Sequence, residues 1–261
     1  MFSRFRQRSH KLEHIDIGDY TPEEYEGAIV ELQRVNNWLG DARALRRSLL
    51  AEIKGSGLKD FIVLDVGAGS GELLRVTGAW ARENNRRASL VGLELNERSA
   101  TSIIELSTGF GEIQAIRGDA LRLPFSDNSF DFVISSLFTH HLADAQVLAV
   151  LREMARVARR QIFVIDLHRH PVAYYFYVSV GRLLFHTRLL REDGALSILR
   201  SFKPSELARL AESAGLQDVE VSRRFPYRLV LSARKKSRHA DEGQRTMNDE
   251  PDLEQSIRLA S

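Results

Sequence analysis

From residue 57 onward the chain alternates between two hydrophobic periods. Residues 61–66, Phe-Ile-Val-Leu-Asp-Val, form a short and nearly unbroken apolar run. It is too short for a typical helix and lacks polar alternation, as expected of a strand covered on both faces. Similar runs recur at 89–93, 113–117, 130–135 and 161–167. Between them apolar residues fall three and four apart, over 72–84, from the N-cap candidate Asn96 to 107, and over 143–157. That spacing gathers apolar side chains on one helical face. Strands alternating with helices of this length predict a parallel sheet with crossover helices.

The flanks read differently. Residues 1–20 are polar and expected to be loose. Thr21-Pro22-Glu23-Glu24 offers an N-cap, a proline in the first turn and acids at the positive helix end, opening a helical region over 21–54. A second helix is expected over 41–54, stopped by Gly55-Ser56-Gly57. Residues 168–191 are rich in aromatics and arginine. Lys203-Pro204-Ser205-Glu206 opens a further helix that ends near Gly215, and 219–223 with 227–233 suit an antiparallel strand pair. The resulting organisation is a helical lid over 1–56 and an α/β domain over 57–233. The domain carries a substrate-cap insertion at about 168–200, and a charged, disordered tail follows over 234–261.

Composition narrows the chemistry. The chain has 261 residues, a net charge of +2 and no cysteine. Disulfides, thiolate nucleophiles and cysteine-ligated metal sites are therefore excluded. The basic N-terminus has no apolar h-region and no stretch is long enough to span a bilayer, so a cytoplasmic chain is expected. The small net charge gives no reason to expect a nucleic-acid partner.

The sequence Asp65-Val66-Gly67-Ala68-Gly69-Ser70-Gly71-Glu72 lies between a strand and a helix. Glycines there let the backbone turn sharply and approach a ligand. A dinucleotide would call for G-x-G-x-x-G, with pyrophosphate on the helix N-terminus. Here the spacing is G-x-G-x-G, and Glu72 sets a negative charge where pyrophosphate would sit. A Walker loop fails for want of its lysine and hydroxyl pair. A ligand without phosphate that tolerates acids fits better, and S-adenosylmethionine, with its sulfonium, ammonium and ribose, meets that description.

This segment resembles motif I of the class I S-adenosylmethionine-dependent methyltransferases, and further matches follow in family order over about residues 60–167. The resemblance implies a Rossmann-like α/β fold with a mostly parallel seven-stranded sheet and helices on both faces. It implies that Asp65 helps hold the methionine ammonium, that Gly67 and Gly69 give backbone contacts, that Glu94 binds the ribose diol and that Asp119 reads the adenine edge. Ala68, Leu95, Ala120 and Ser135 would complete the cofactor pocket. His140-His141-Leu142 and Glu153-Met154-Ala155-Arg156-Val157 resemble the small-molecule branch. The family's Pro-Gly-Gly turn before strand five is replaced by Ala158-Arg159-Arg160. Arg34-Val35-Asn36-Asn37-Trp38-Leu39-Gly40, Asp166-Leu167-His168-Arg169-His170-Pro171 and the stretch from Arg200 to Leu207 resemble bacterial members associated with type III polyketide synthases. That implies a phenolic, quinone-like or polyketide-like acceptor, with the Trp38 region as a lid.

An acceptor hydroxyl is methylated faster when a base removes its proton, and histidine is suited to that near neutrality. His140 and His141 follow strand four, and His168 and His170 follow strand five, where such sheets place ligands. His141, His168 and His140 are the candidate bases, and His170, Tyr174 and Tyr175 the candidate acceptor contacts. No metal ligand is identified. Ser135-Ser136-Leu137-Phe138 lacks both the Asn/Asp-Pro-Pro-aromatic motif of amino methylation and the acid of metal-dependent catechol enzymes. Carbon methylation of a quinone-type ring remains an alternative, as does a catalytically silent partner that only binds the cofactor. The many arginines leave RNA methylation as a further rival. The arginines flanking apolar residues in the aromatic segment are also compatible with weak contact to a membrane surface.

Overall fold

The computed structural model describes residues 3–25, 27–28, 31 and 40–235. The Trp38 region and residues 236–261, most of the expected tail, lie outside the described residues. In chain order, a short α1 (His14–Ile17) precedes α2 (Asp41–Arg46) and α3 (Leu49–Gly55). Then come β1 (Asp60–Val66), α4 (Glu72–Glu83), β2 (Arg87–Glu94), α5 (Glu97–Leu106), β3 (Ile113–Arg117) and β4 (Phe130–Ser136). These are followed by α6 (Asp144–Val157), β5 (Ala158–Leu167), α7 (Pro171–Leu184), α8 (Arg188–Arg200), α9 (Pro204–Ser213), β6 (Leu216–Arg224) and β7 (Arg228–Lys235).

Among the described residues the strands form one seven-stranded sheet of order β3-β2-β1-β4-β5-β7-β6. All pairings from β3 to β5 are parallel, and β7 runs antiparallel to both β5 and β6. The strand order reverses between β1 and β4, which opens a crevice at their carboxyl ends. The unbroken apolar runs are explained by burial on both faces. Leu64, Val66, Val133, Ile162 and Val164 pack against α6 and α9 through Val147, Leu151, Met154, Leu207 and Ala211. Phe61, Val63, Phe132, Ile134, Phe163 and Ile165 face the other way, onto Leu45, Leu49, Ile53, Leu74 and Ile103.

Several expectations are revised. Residues 3–20 are not loose: they form a strap across the carboxyl edge of the sheet, with Phe5 and Glu13 buried. Polar composition misleads there because arginine side chains from the domain satisfy the strap's backbone. Arg169, fully buried, donates to the Phe5 carbonyl oxygen at 3.3 Å and pairs with Glu206 at 2.5 Å. Arg200 donates to the Lys11 carbonyl oxygen at 2.6 Å. In the reverse direction Arg8 donates to the carbonyl oxygens of Arg200 at 2.6 Å and Leu142 at 3.0 Å. The single helix expected over 41–54 is two, broken at Arg47 and Ser48. In keeping with the loss of the family's Pro-Gly-Gly, no turn stands at Ala158-Arg159-Arg160: α6 passes directly into β5 at Ala158, whose backbone is already extended. The aromatic stretch divides into α7 and α8, and β7 continues two residues past Ala233.

Candidate active site

The glycine loop leaves β1 at the crevice. Gly67 has φ +71°, and a Cβ there would lie 2.6 Å from the Phe138 ring, so the position demands glycine on both conformational and steric grounds. The amides of Gly67 and Ala68 donate to the Leu93 carbonyl oxygen at 2.9 and 3.2 Å, tying the loop to the end of β2. Gly69 has φ +56° and open space where a Cβ would stand. Its amide donates to Glu94 Oε1 at 2.5 Å.

Three acids crowd this loop. Asp65 is buried and its Oδ1 has no hydrogen-bond partner. Burial, and then the nearby Glu94 carboxylate, push its carboxyl up to about 7. Burial also raises Glu94. Glu72 is raised by burial and by Asp41, and its Oε1 is likewise unpartnered. Carboxyl oxygens that have lost water without gaining donors, as on Asp65 and Glu72, favour a ligand bringing cations or hydroxyls. S-adenosylmethionine fits that donor set, and the space above Gly69 admits close approach.

The other expected cofactor residues divide. Ala120 is buried, Leu95 is two-thirds exposed, and Asp119 accepts from the Leu121 amide at 2.8 Å. The Ser135 hydroxyl is engaged away from the loop: it donates to the Val66 carbonyl oxygen at 2.8 Å, joining β4 to β1.

The four histidines occupy distinct settings. His140 is buried, with Nδ1 2.7 Å from Asp166 Oδ1. Burial opposes ionisation of Asp166, but His140 and hydrogen bonds from Thr139 and the Leu167 amide outweigh it and hold that carboxyl at about 2. His141 is partly exposed, with Nδ1 2.8 Å from Asp16 Oδ1 and 3.8 Å from Glu13 Oε2. It also contributes to the electrostatics of Glu94 across the crevice. His168 is held down to about 4 by burial, then by His170, Arg223 and Arg169. His170 caps α7, accepting from the Val172 amide at 3.2 Å, and stacks on Tyr227 at 5.2 Å.

Tyr174 and Tyr175 pack edge-on against Phe5 of the strap, at 5.6 and 6.1 Å between ring centroids. The structure thus brings His140 and His141 to the cofactor side. His168, His170 and the tyrosines gather farther along the edge, beyond β5.

Sequence reasoning missed Glu13, Asp16, Asp166 and Arg200. Burial raises Glu13 to about 7, an effect only partly offset by His141 and a 2.9 Å bond from the Ser197 hydroxyl. Arg200 stands 3.5 Å from Glu13 and 3.3 Å from Asp16, and donates to the carbonyl oxygens of His140 and His141. Glu13, His140 and His141 offer donor atoms within 4.8 Å of one another, a spacing open to a metal ion, although Arg200 already lies against Glu13. Asp166 had a legible signal, a lone acid inside the apolar run of β5, as Asp65 is in β1. Glu13 and Asp16 had none.

A parallel sheet with one reversed strand, a glycine loop at its switch point and acids at the ends of β1 and β2 define a Rossmann-like α/β protein with its ligand crevice at that point. A methyltransferase domain model matches residues 64–165. A demethylmenaquinone methyltransferase of Roseiflexus sp. (strain RS-1) is 32% identical over 184 residues, covering 64% of this chain and 70% of that protein. A ubiquinone biosynthesis O-methyltransferase of Nitrosomonas europaea is 29% identical over 186 residues, covering 69% and 73%. Among solved structures, a SAM-dependent methyltransferase from Aquifex aeolicus superposes with a TM-score of 0.54 at 19% identity, covering 77% of this chain and 96% of that one. The chain belongs to the class I S-adenosylmethionine-dependent methyltransferases.

Proposed function

We propose that this methyltransferase acts on a ring hydroxyl of a phenolic or polyketide-like small molecule, with His141 as the base. One observation carries the reading: His141 Nδ1 lies 2.8 Å from Asp16 Oδ1, at the end of β4 and across the crevice from Glu94. Asp65 and Glu94 hold the cofactor, and the glycine backbone of the 67–69 loop lets it approach closely. Bound there, S-adenosylmethionine supplies a methyl group already activated on a sulfonium.

The protein's part is alignment and proton removal. Alignment can supply about 7–11 kcal/mol. Asp16 accepts from His141 Nδ1, so Nε2 is the ring nitrogen left to take the acceptor's proton and leave a phenolate nucleophile. His140 is less suited, because it is 3% exposed and bound to Asp166. His168 is less suited because its surroundings lower its basicity. Replacing His141 with glutamine should reduce turnover by about 10²–10⁴-fold while adenosylhomocysteine affinity stays within a few-fold. Near-normal turnover would remove the assignment.

A second reading, transfer to a ring carbon, is supported by the Roseiflexus relative, whose name is that of a demethylmenaquinone methyltransferase. The same deprotonation makes the neighbouring ring carbon nucleophilic. Incubation with methyl-labelled cofactor and either an alkylphenol or a demethylated naphthoquinol, followed by NMR of the product, distinguishes an O-methyl from a C-methyl group.

A further inference from the structure

A cavity of about 590 Å³ lies beyond the carboxyl end of β5. The cofactor loop stands on the same edge of the sheet but past β1, with β4 between them. Arg6 of the strap, His168 and His170 after β5, Lys203 and Ser205 at the start of α9, and Arg223 of β6 line it, and none of its lining residues is acidic. Arg169 also lines it, but its guanidinium is already bound to Glu206 and to the carbonyl oxygens of Phe5 and Ser201. Among the described residues the side chains of Arg6, Lys203 and Arg223 have no carboxylate partner.

Three unpaired cations facing one concavity repel each other, and low-dielectric walls strengthen the field. An anion seated among them would be attracted by all three. Two helices of 14 and 10 residues, α7 and α9, also begin at this cavity, after His170 and Lys203. Their N-termini direct positive partial charge at it. Burial, and then the neighbouring charges of His170, Arg223 and Arg169, lower the basicity of His168 at the same cavity.

We propose that this cavity is a second ligand site, which takes a phosphate or diphosphate group between the strap and the C-terminal third. Arg6 belongs to the strap, whereas Lys203 and Arg223 belong to the domain. The occupant therefore bridges the two and fastens the strap over the edge where the acceptor enters. The phosphate arrives either free, on a small molecule, or as an anionic lipid headgroup. Val172, at the rim beside Pro171, is 54% exposed, which leaves a headgroup room to approach.

Calorimetry on the full chain at constant ionic strength tests this, with inorganic diphosphate as the first probe. Vesicles of phosphatidylglycerol, with phosphatidylcholine as control, are the second. The variants are Lys203→Ala/Arg223→Ala, Arg6→Ala, and Arg98→Ala as an exposed control elsewhere. Saturable diphosphate binding is expected, weakened tenfold or more in the double variant, weakened in Arg6→Ala and unchanged in Arg98→Ala. Adenosylhomocysteine affinity should stay constant in all of them. Vesicle binding that depends on Lys203 and Arg223, without saturable diphosphate binding, would support the site and identify a headgroup as its source. Binding of neither probe overturns the proposal, and so does binding indifferent to these residues. Competition between diphosphate and adenosylhomocysteine would place the anion in the cofactor crevice and overturn it equally. Arg6→Ala keeps the test decisive if the double variant fails to fold.

Discussion

Asp65 carries the sharpest residue-scale consequence. Its carboxyl titrates near 7 in the folded chain because burial and Glu94 disfavour its charge. A cationic ligand reverses that balance, so cofactor binding should drive off the proton. At pH 6, calorimetry in buffers of different ionisation enthalpy should show proton release approaching one per site, and affinity should rise toward pH 8. Asp65→Asn should lose affinity and that proton together. Buffer-independent heats at pH 6 would show that Asp65 is already ionised before the ligand arrives. The role of Asp65 was legible in the sequence because an acid inside a buried apolar run, just before three glycines, has no ordinary structural use. His141 was legible only as one of four histidines. What singles it out is Asp16, which is 125 residues away and sits in a segment whose composition suggests no order.

The strap is the element the sequence concealed. Helices and strands announce themselves by period, but residues 3–20 are held by single donors reaching their carbonyl groups, and such contacts leave no pattern. Arg200 is central to them: it is buried and joins Lys11, Glu13 and Asp16 to the backbone of His140 and His141. Arg200→Met would take the cation from beside Glu13 and Asp16 and a donor from three carbonyl oxygens, and breaking a buried pair costs about 3–5 kcal/mol. The variant should melt earlier and be cut faster by trypsin among the basic residues of the strap, while binding adenosylhomocysteine normally. Unchanged cleavage would mean that the strap is held mainly by Arg8 and Arg169. Asp41→Asn tests a different tie. Arg228 Nε and Nη2 lie 2.5 and 3.2 Å from the two Asp41 oxygens, with both residues buried, which joins α2 to the start of β7. Its loss should lower the melting temperature with little change at the strap.

Over the whole molecule, Glu13 and Asp65 make the apoprotein less stable as the medium becomes more alkaline. Both carboxyls titrate at about 7 when folded, against ordinary values of 4.5 and 3.8. The folded chain therefore binds more protons than the unfolded one between about pH 4 and 7. The stabilisation is complete below the ordinary values and is lost as pH rises through 7, at up to about 1.4 kcal/mol per pH unit for each group. Denaturant titrations at pH 5.5 and 7.5 should show the decline in the apoprotein and a shallower one in Asp65→Asn. An equal slope in the two would remove Asp65 as a cause. The layered sheet was readable throughout, since each strand and crossover helix is specified by its own residues. The strap also bears on how the chain is made. It is translated before the sheet, yet its anchors lie as many as 192 residues further on, at Arg200. The pairings of β1 with β2 and of β2 with β3 involve no residue beyond 117. A nascent chain can thus assemble its glycine loop and Glu94 while the acceptor side still waits for residues not yet translated. The strap, made before the sheet, can be seated only after Arg200 has been made.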